Sequence, residues 1–182
     1  DPFSFREIFD AICCKPSSAP GHDCVNKRIL RLLCRGPQGY LPTMLCLHLL
    51  LNAWYRNGKC PDWCARGVIS LIPKPGKGGS CDYKDKRPIT LLSDISKIAT
   101  KILATRLSNI IHKWPNLIER VQSGFIREGG CDGPIRFLFD RIRQANNEGK
   151  PLFLLSVDIS KAFDRIKFWH IRKMLISYGF PL

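Results

Sequence analysis

The segment Leu152-Phe-Leu-Leu-Ser-Val-Asp158-Ile-Ser-Lys-Ala-Phe163-Asp164 decides how this chain is read. Residues 152–157 form an apolar run of the length and makeup of a fully buried strand. Such a strand delivers Asp158 at its C-terminal end, the edge at which ligand sites of α/β sheets lie. A carboxylate there suits Mg²⁺, which takes one or two carboxylates together with substrate phosphates. In two-metal phosphoryl transfer such ions activate an attacking hydroxyl and neutralise a leaving pyrophosphate. The same carboxylate equally suits the cap of a helix expected over residues 162–178 and stopped at Gly179. Composition alone favours the cap.

Upstream of this segment, a helix is expected over residues 135–146, after the break at Gly129-Gly130. Before it lies the clearest helical pattern, beginning at Ser93 or Asp94. Ile95, Ile98, Ala99, Ile102, Leu103, Leu107, Ile110 and Ile111 share one face at a 3.6-residue period, with Lys97, Lys101 and Arg106 off it. Residues 67–72 and 88–92 read as two strands of a hairpin spanning 66–92. Its connection contains Gly76, Gly78 and Gly79 among lysines, in the strings Ile72-Pro-Lys74-Pro-Gly-Lys77 and Lys86-Arg87-Pro88-Ile89. A Gly-rich basic loop suits a triphosphate, with Lys as a point charge and Arg as a bidentate fork. A solvated loop tip reads the same way. The N-terminal part reads as helical: a short helix within 1–14, a loop over 15–23, a helix over 25–34 capped by Asp23 and broken at Gly36-Pro37, and one over 41–55 stopped at Asn57-Gly58. The last of these is apolar on nearly every side and is expected to be mostly buried.

The chain has 182 residues, with 29 basic against 15 acidic side chains, a net charge of +14. That excess favours a polyanionic partner, most often nucleic acid. At 45% hydrophobic and 24% charged residues the chain has the makings of a core. Residues 41–51 are apolar but too short for a bilayer, so no membrane partner is expected. The nine cysteines are irregularly spaced, and they read as reduced thiols in cytosol or nucleus. His22-x-Cys24 and Cys60-x-x-x-Cys64 lack a second ligand pair at zinc-finger distance, so no structural zinc is expected.

Six blocks occur in order: Ala19-Pro-Gly-His-Asp23, Trp54-x-x-x-Gly58-x-x-Pro61-x-Trp63, Ile72-Pro-Lys-Pro-Gly-Lys77, Arg87-Pro-Ile-Thr-Leu-Leu92, Gln122-Ser-Gly-Phe125 and Asp158-x-x-x-Ala-Phe-Asp164. Together they resemble the reverse transcriptases of non-LTR, LINE-type retrotransposons, from about residue 15 to the end. The resemblance implies an α+β fold: a helical N-terminal extension (1–64), then a reverse transcriptase domain (65–182) made of fingers (65–150) and the start of a right-hand palm (151–182). It implies RNA-directed DNA polymerisation with two Mg²⁺ ions (Mn²⁺ in their place), an RNA template, a DNA primer and deoxynucleoside triphosphates, inside the cell in nucleus or cytoplasm.

By position, Asp158 matches the first metal-binding aspartate, with the Ile159 carbonyl as a helper ligand. Phe163 matches the steric gate that rejects a 2′-hydroxyl, and Lys74 and Arg87 match residues that hold the triphosphate. Lys77, Gln122, Gly124 and Phe125 fall in blocks that face nucleic acid. Asp164 matches a local structural carboxylate, and Phe125 and Phe163 also fit as core aromatics. The family's aromatic-Ala-Asp-Asp block is absent from these residues, and both chain ends read as cuts in a longer frame. Residues 1–182 alone are therefore expected not to polymerise. His22 stands where the family has Pro. Two other readings of the same residues are a non-catalytic nucleic-acid-binding remnant and a group II intron-type maturase.

Overall fold

The first helix begins where Ser4 and Glu7 close a capping box: the Glu7 amide donates to Ser4 Oγ at 3.2 Å, and the Ser4 amide donates to Glu7 Oε2 at 2.9 Å. The structure is a computed structural model that describes residues 1–14, 19–35, 40–119, 121–127 and 129–180. Helix α1 (Phe5–Cys13) is followed by α2 (Lys27–Arg35), α3 (Tyr40–Asn57) and the single turn α4 (Asp62–Ala65). The cap of α2 is Asn26, whose Oδ1 accepts from the Ile29 amide at 3.0 Å, and not Asp23 as the sequence suggests. Asp23 bonds its own loop instead, accepting from the Val25 amide at 3.2 Å. Asx side chains often turn the backbone this way, two residues on, rather than start a helix. Helix α3 stops as expected at Gly58, which takes the left-handed φ of +62°. The expected break at Gly36-Pro37 and part of the 15–23 loop lie outside the described residues.

The core is helical. Phe3, Ile8, Ala11 and Ile12, from α1 and its approach, pack with Leu30 and Cys34 of α2 and with Met44, Leu47 and Leu51 of α3. Ile98, Ala99 and Ile102 of α5 (Asp94–Lys113) complete the cluster. The stripe predicted along α5 is thus buried in its first half, whereas Leu103, Leu107 and Ile110 are exposed. The expectation that α3 is mostly buried is corrected: Leu45 is 45% and Leu49 60% exposed. A helix apolar all round can bury only the sides that meet neighbours, and here one stripe does so.

Between α4 and α5, β1 (Gly67–Pro73) and β2 (Lys86–Leu92) pair antiparallel with Ile72 opposite Arg87 and Pro73 opposite Lys86. This is the expected hairpin. Its loop opens with a turn in which the Lys77 amide donates to the Lys74 carbonyl at 3.0 Å. Pro75 and Gly76 occupy the central positions, with φ +75° at Gly76, the chemistry that a type II turn requires. The described residues form a mixed α+β chain with one two-stranded sheet among them.

The chain divides into two units, Asp1–Leu107 and Ser108–Leu182. In the second, α6 (Asp132–Glu148) ends at left-handed Gly149, and α7 (Ala162–Arg165) and α8 (Phe168–Ser177) follow. Two expectations fail here. Residues 152–157 join no sheet, and Phe153 is 91% and Leu155 90% exposed. A strand exists only as part of a ladder, and no described segment offers these residues a partner backbone. The single helix over 162–178 is also broken: Ile166 and Lys167 are extended, and α8 starts anew after them. No described residue from 108 onward is buried.

A bidentate ion pair joins α1 to α5 in the first unit. Arg106 Nε and a terminal nitrogen donate to the two Glu7 oxygens at 2.7 and 2.8 Å, and the guanidinium also reaches the Asp1 and Pro2 carbonyls. Hydrogen bonding to Arg106 holds the Glu7 carboxyl down at about 2. An unfolded Glu titrates near 4.3, so the folded group is the stronger acid. Its stabilisation is present above about pH 4.3 and is lost as pH falls towards 2. The side chains are 27% and 32% exposed, and after allowance for solvent screening the effect is about 1–2 kcal/mol. Urea unfolding at pH 6 and pH 3 should show that loss, and Arg106→Met should remove most of the difference between the two. An Arg106→Met protein with the full pH dependence would show that the pair contributes nothing.

Candidate active site and nucleic-acid interface

In the first unit, the register decides where the basic residues stand. Arg87 pairs with Ile72, and Lys74 lies two residues beyond Ile72, where the Lys74 amide still donates to the Asp85 carbonyl at 2.8 Å. Directly opposed residues share a face, as do residues two apart, so Lys74 and Arg87 lie on one side at the loop end. Both are exposed. Lys74 Nζ donates to the Lys84 carbonyl at 2.5 Å, and Lys77 Nζ pairs with Asp85 at 3.7 Å. The loop is thus held in shape by internal bonds.

In the second unit, Asp158 follows the apolar segment. Its carboxylate is exposed and makes no hydrogen bond or ion pair to a described residue. It is not a helix cap: the N-cap of α7 is Lys161, in the left-handed region at φ +53°, and no side chain caps that helix. Ile159 is 65% exposed. The side chain of Asp164 lies outside the described residues. Gln122 Nε2 donates to the Gly124 carbonyl at 3.1 Å and shapes the turn before Phe125. Gln122 also lines a cleft of about 260 Å³ with Ser108, His112 and Glu119.

Phe125 and Phe163 meet edge to face with ring centroids 6.4 Å apart, an arrangement that aromatic pairs favour. They are 96% and 81% exposed, so the reading of either as a core residue is corrected. With no strand beneath them, nothing described covers either ring. Phe125 holds a φ of +61°, a strained value for a bulky side chain. Such strain gathers at functional sites.

Among the described residues no group of three or more His, Cys, Asp or Glu could hold a metal ion. Burial pushes the Cys64 thiol up, away from the thiolate that a metal needs. No helix among them is long and apolar enough to cross a membrane. Sequence reading took Asp23 and Asp94 only as helix starts and missed that they tie the N-terminal loop to the base of the hairpin. Their one visible signal is the Ser93-Asp94 helix start.

The chain belongs to the reverse transcriptase (RNA-dependent DNA polymerase) family, whose model matches residues 72–181. It is 32% identical over 172 residues to a probable RNA-directed DNA polymerase from transposon X-element of Drosophila melanogaster, covering 93% of this chain and 18% of that protein. It is 28% identical over 171 residues to the RNA-directed DNA polymerase from mobile element jockey of Drosophila funebris, covering 93% and 18%. Over 165 residues it is 31% identical to a Pol polyprotein from the type-2 retrotransposable element R2DM of Drosophila melanogaster, covering 91% and 14%. The chain thus spans less than a fifth of the length of these relatives.

Proposed function

We propose that these residues are part of an RNA-directed DNA polymerase of a non-LTR retrotransposon. Residues 1–64 form its helical extension, 65–150 its fingers and 151–182 the start of its palm. The observation that carries this reading is Asp158: a carboxylate at the end of an apolar segment, exposed, without a partner among the described residues and not engaged as a helix cap. The hard oxygens of Asp158 and of the Ile159 carbonyl are donors of the kind that Mg²⁺ prefers. They are two oxygen donors only, so further ligands must come from elsewhere. When bound, the metal supplies charge neutralisation at the phosphates.

The chain's own residues do the rest. Lys74 and Arg87 hold the triphosphate of a deoxynucleotide, Gln122, Gly124 and Phe125 lie near the template strand, and Lys77 faces nucleic acid. Phe163 lies beneath the sugar. The primer 3′-hydroxyl attacks the α-phosphate, the bond to the β-phosphate breaks, and pyrophosphate leaves.

Sugar selection tests the reading. In an intact polymerase that carries these residues, Phe163→Val should raise the ribonucleotide-to-deoxynucleotide ratio of kcat/KM. Relief of a clash worth about 1–3 kcal/mol corresponds to about 10–100-fold. A thermal melt alongside should match that of the parent, so that a changed ratio is not a loss of fold. An unchanged ratio in a protein that melts normally would remove Phe163 from the site.

A further inference from the structure

The block Ala19-Pro-Gly-His-Asp23 lies far from the hairpin in sequence, yet it packs against the hairpin's base. A turn closes where the Cys24 amide donates to the Gly21 carbonyl at 3.1 Å, with His22 exposed at a central position. Gly21 is buried, and a Cβ there would stand 2.5 Å from the Ser93 nitrogen and 2.6 Å from the Leu92 carbonyl carbon. Only glycine lets the two backbones approach so closely. The Ser93 hydroxyl, 1% exposed, donates to Asp23 Oδ2 at 2.6 Å and accepts from the Ile95 amide at 3.2 Å.

Asp94, fully buried, accepts from the Lys27 amide at 2.7 Å and from Lys97 Nζ at 3.0 Å. Lys97 Nζ reaches onward to the Ala19 carbonyl at 3.2 Å. The loop 19–27 and the junction of β2 with α5 are thus joined by carboxylates on both sides.

We propose that Asp23, Ser93 and Asp94 form a positioning clasp that fixes the β1–β2 hairpin, and with it Lys74 and Arg87, on the helical N-terminal unit. The hairpin needs such an anchor, because a two-stranded sheet is marginal by itself and both of its faces are largely exposed. The clasp stands on geometry alone, while its consequence for nucleotide binding rests on the role proposed for Lys74 and Arg87.

Hydrogen exchange on residues 1–182 reads the clasp, and kinetics in an intact polymerase read its consequence. In Asp23→Ala, amides of residues 86–92 should exchange about tenfold faster, while those of α3 keep their rates. Asp94→Asn keeps an acceptor for the Lys27 amide and should change them less than Asp94→Ala does. In the polymerase, Asp23→Ala should raise KM for the deoxynucleotide about tenfold, with KM for primer–template and kcat held. Equal acceleration in α3 and in the hairpin, or none in either, overturns the clasp. Local acceleration with an unchanged nucleotide KM overturns the positioning role, provided that Arg87→Ala raises that KM. If Arg87→Ala leaves it unchanged too, the nucleotide role of the hairpin is what fails.

Discussion

Asp158→Asn in an intact polymerase should lower template-dependent DNA synthesis by about 10³-fold or more. A hard cation requires charged oxygen donors, and Asn offers one neutral carbonyl in place of a carboxylate. Loss of several kcal/mol of charge stabilisation in the transition state gives a factor of that size. The fold should be unaffected, because Asn keeps nearly the size and shape of Asp. The competing role makes the opposite forecast. As a helix cap Asn serves about as well as Asp, so a capping Asp158 would leave Asn fully active. The structure already places Lys161, not Asp158, at the start of α7. Primer extension on an RNA template, with a thermal melt alongside, reads the result. Near-parental activity in Asp158→Asn would end the metal-ligand assignment.

Single-stranded RNA or DNA should bind residues 1–182 with little sequence preference and with an affinity that falls about 100-fold between roughly 50 and 200 mM salt. That figure follows from about five neutralised phosphates at a slope near −0.7 for each phosphate of a single strand. Five basic side chains, Lys74, Lys77, Lys84, Lys86 and Arg87, lie between residues 74 and 87 of a chain with a net charge of +14. The loop is exposed, and its three turns are internally bonded, so it presents these charges at little ordering cost. Replacing Lys74, Lys77 and Lys84 by Gln should flatten the log–log slope by about 2, since three fewer phosphates release counterions. Binding without a salt slope, or a slope that the triple variant leaves unchanged, would place the interface elsewhere.

Local chemistry was legible in the sequence because it depends on near neighbours. The helix stop at Gly58, the antiparallel hairpin and the Ser93-Asp94 helix start all use groups a few residues apart. The six ordered blocks likewise sufficed for the family, since their spacing is carried by the chain itself.

What depends on distant neighbours was decided by tertiary structure. Apolar pattern says that a segment has something to bury, not what will cover it. Residues 152–157 therefore read as a buried strand, yet Phe153, Leu155 and Val157 stand exposed among the described residues. The Glu7–Arg106 pair, 99 residues apart, and the Asp23–Ser93 bond, 70 residues apart, have no local signature at all. A carboxylate's role is set by the partners the fold brings to it. The fold makes Asp23 and Asp94 structural by bringing donors to them, whereas no described residue donates to Asp158.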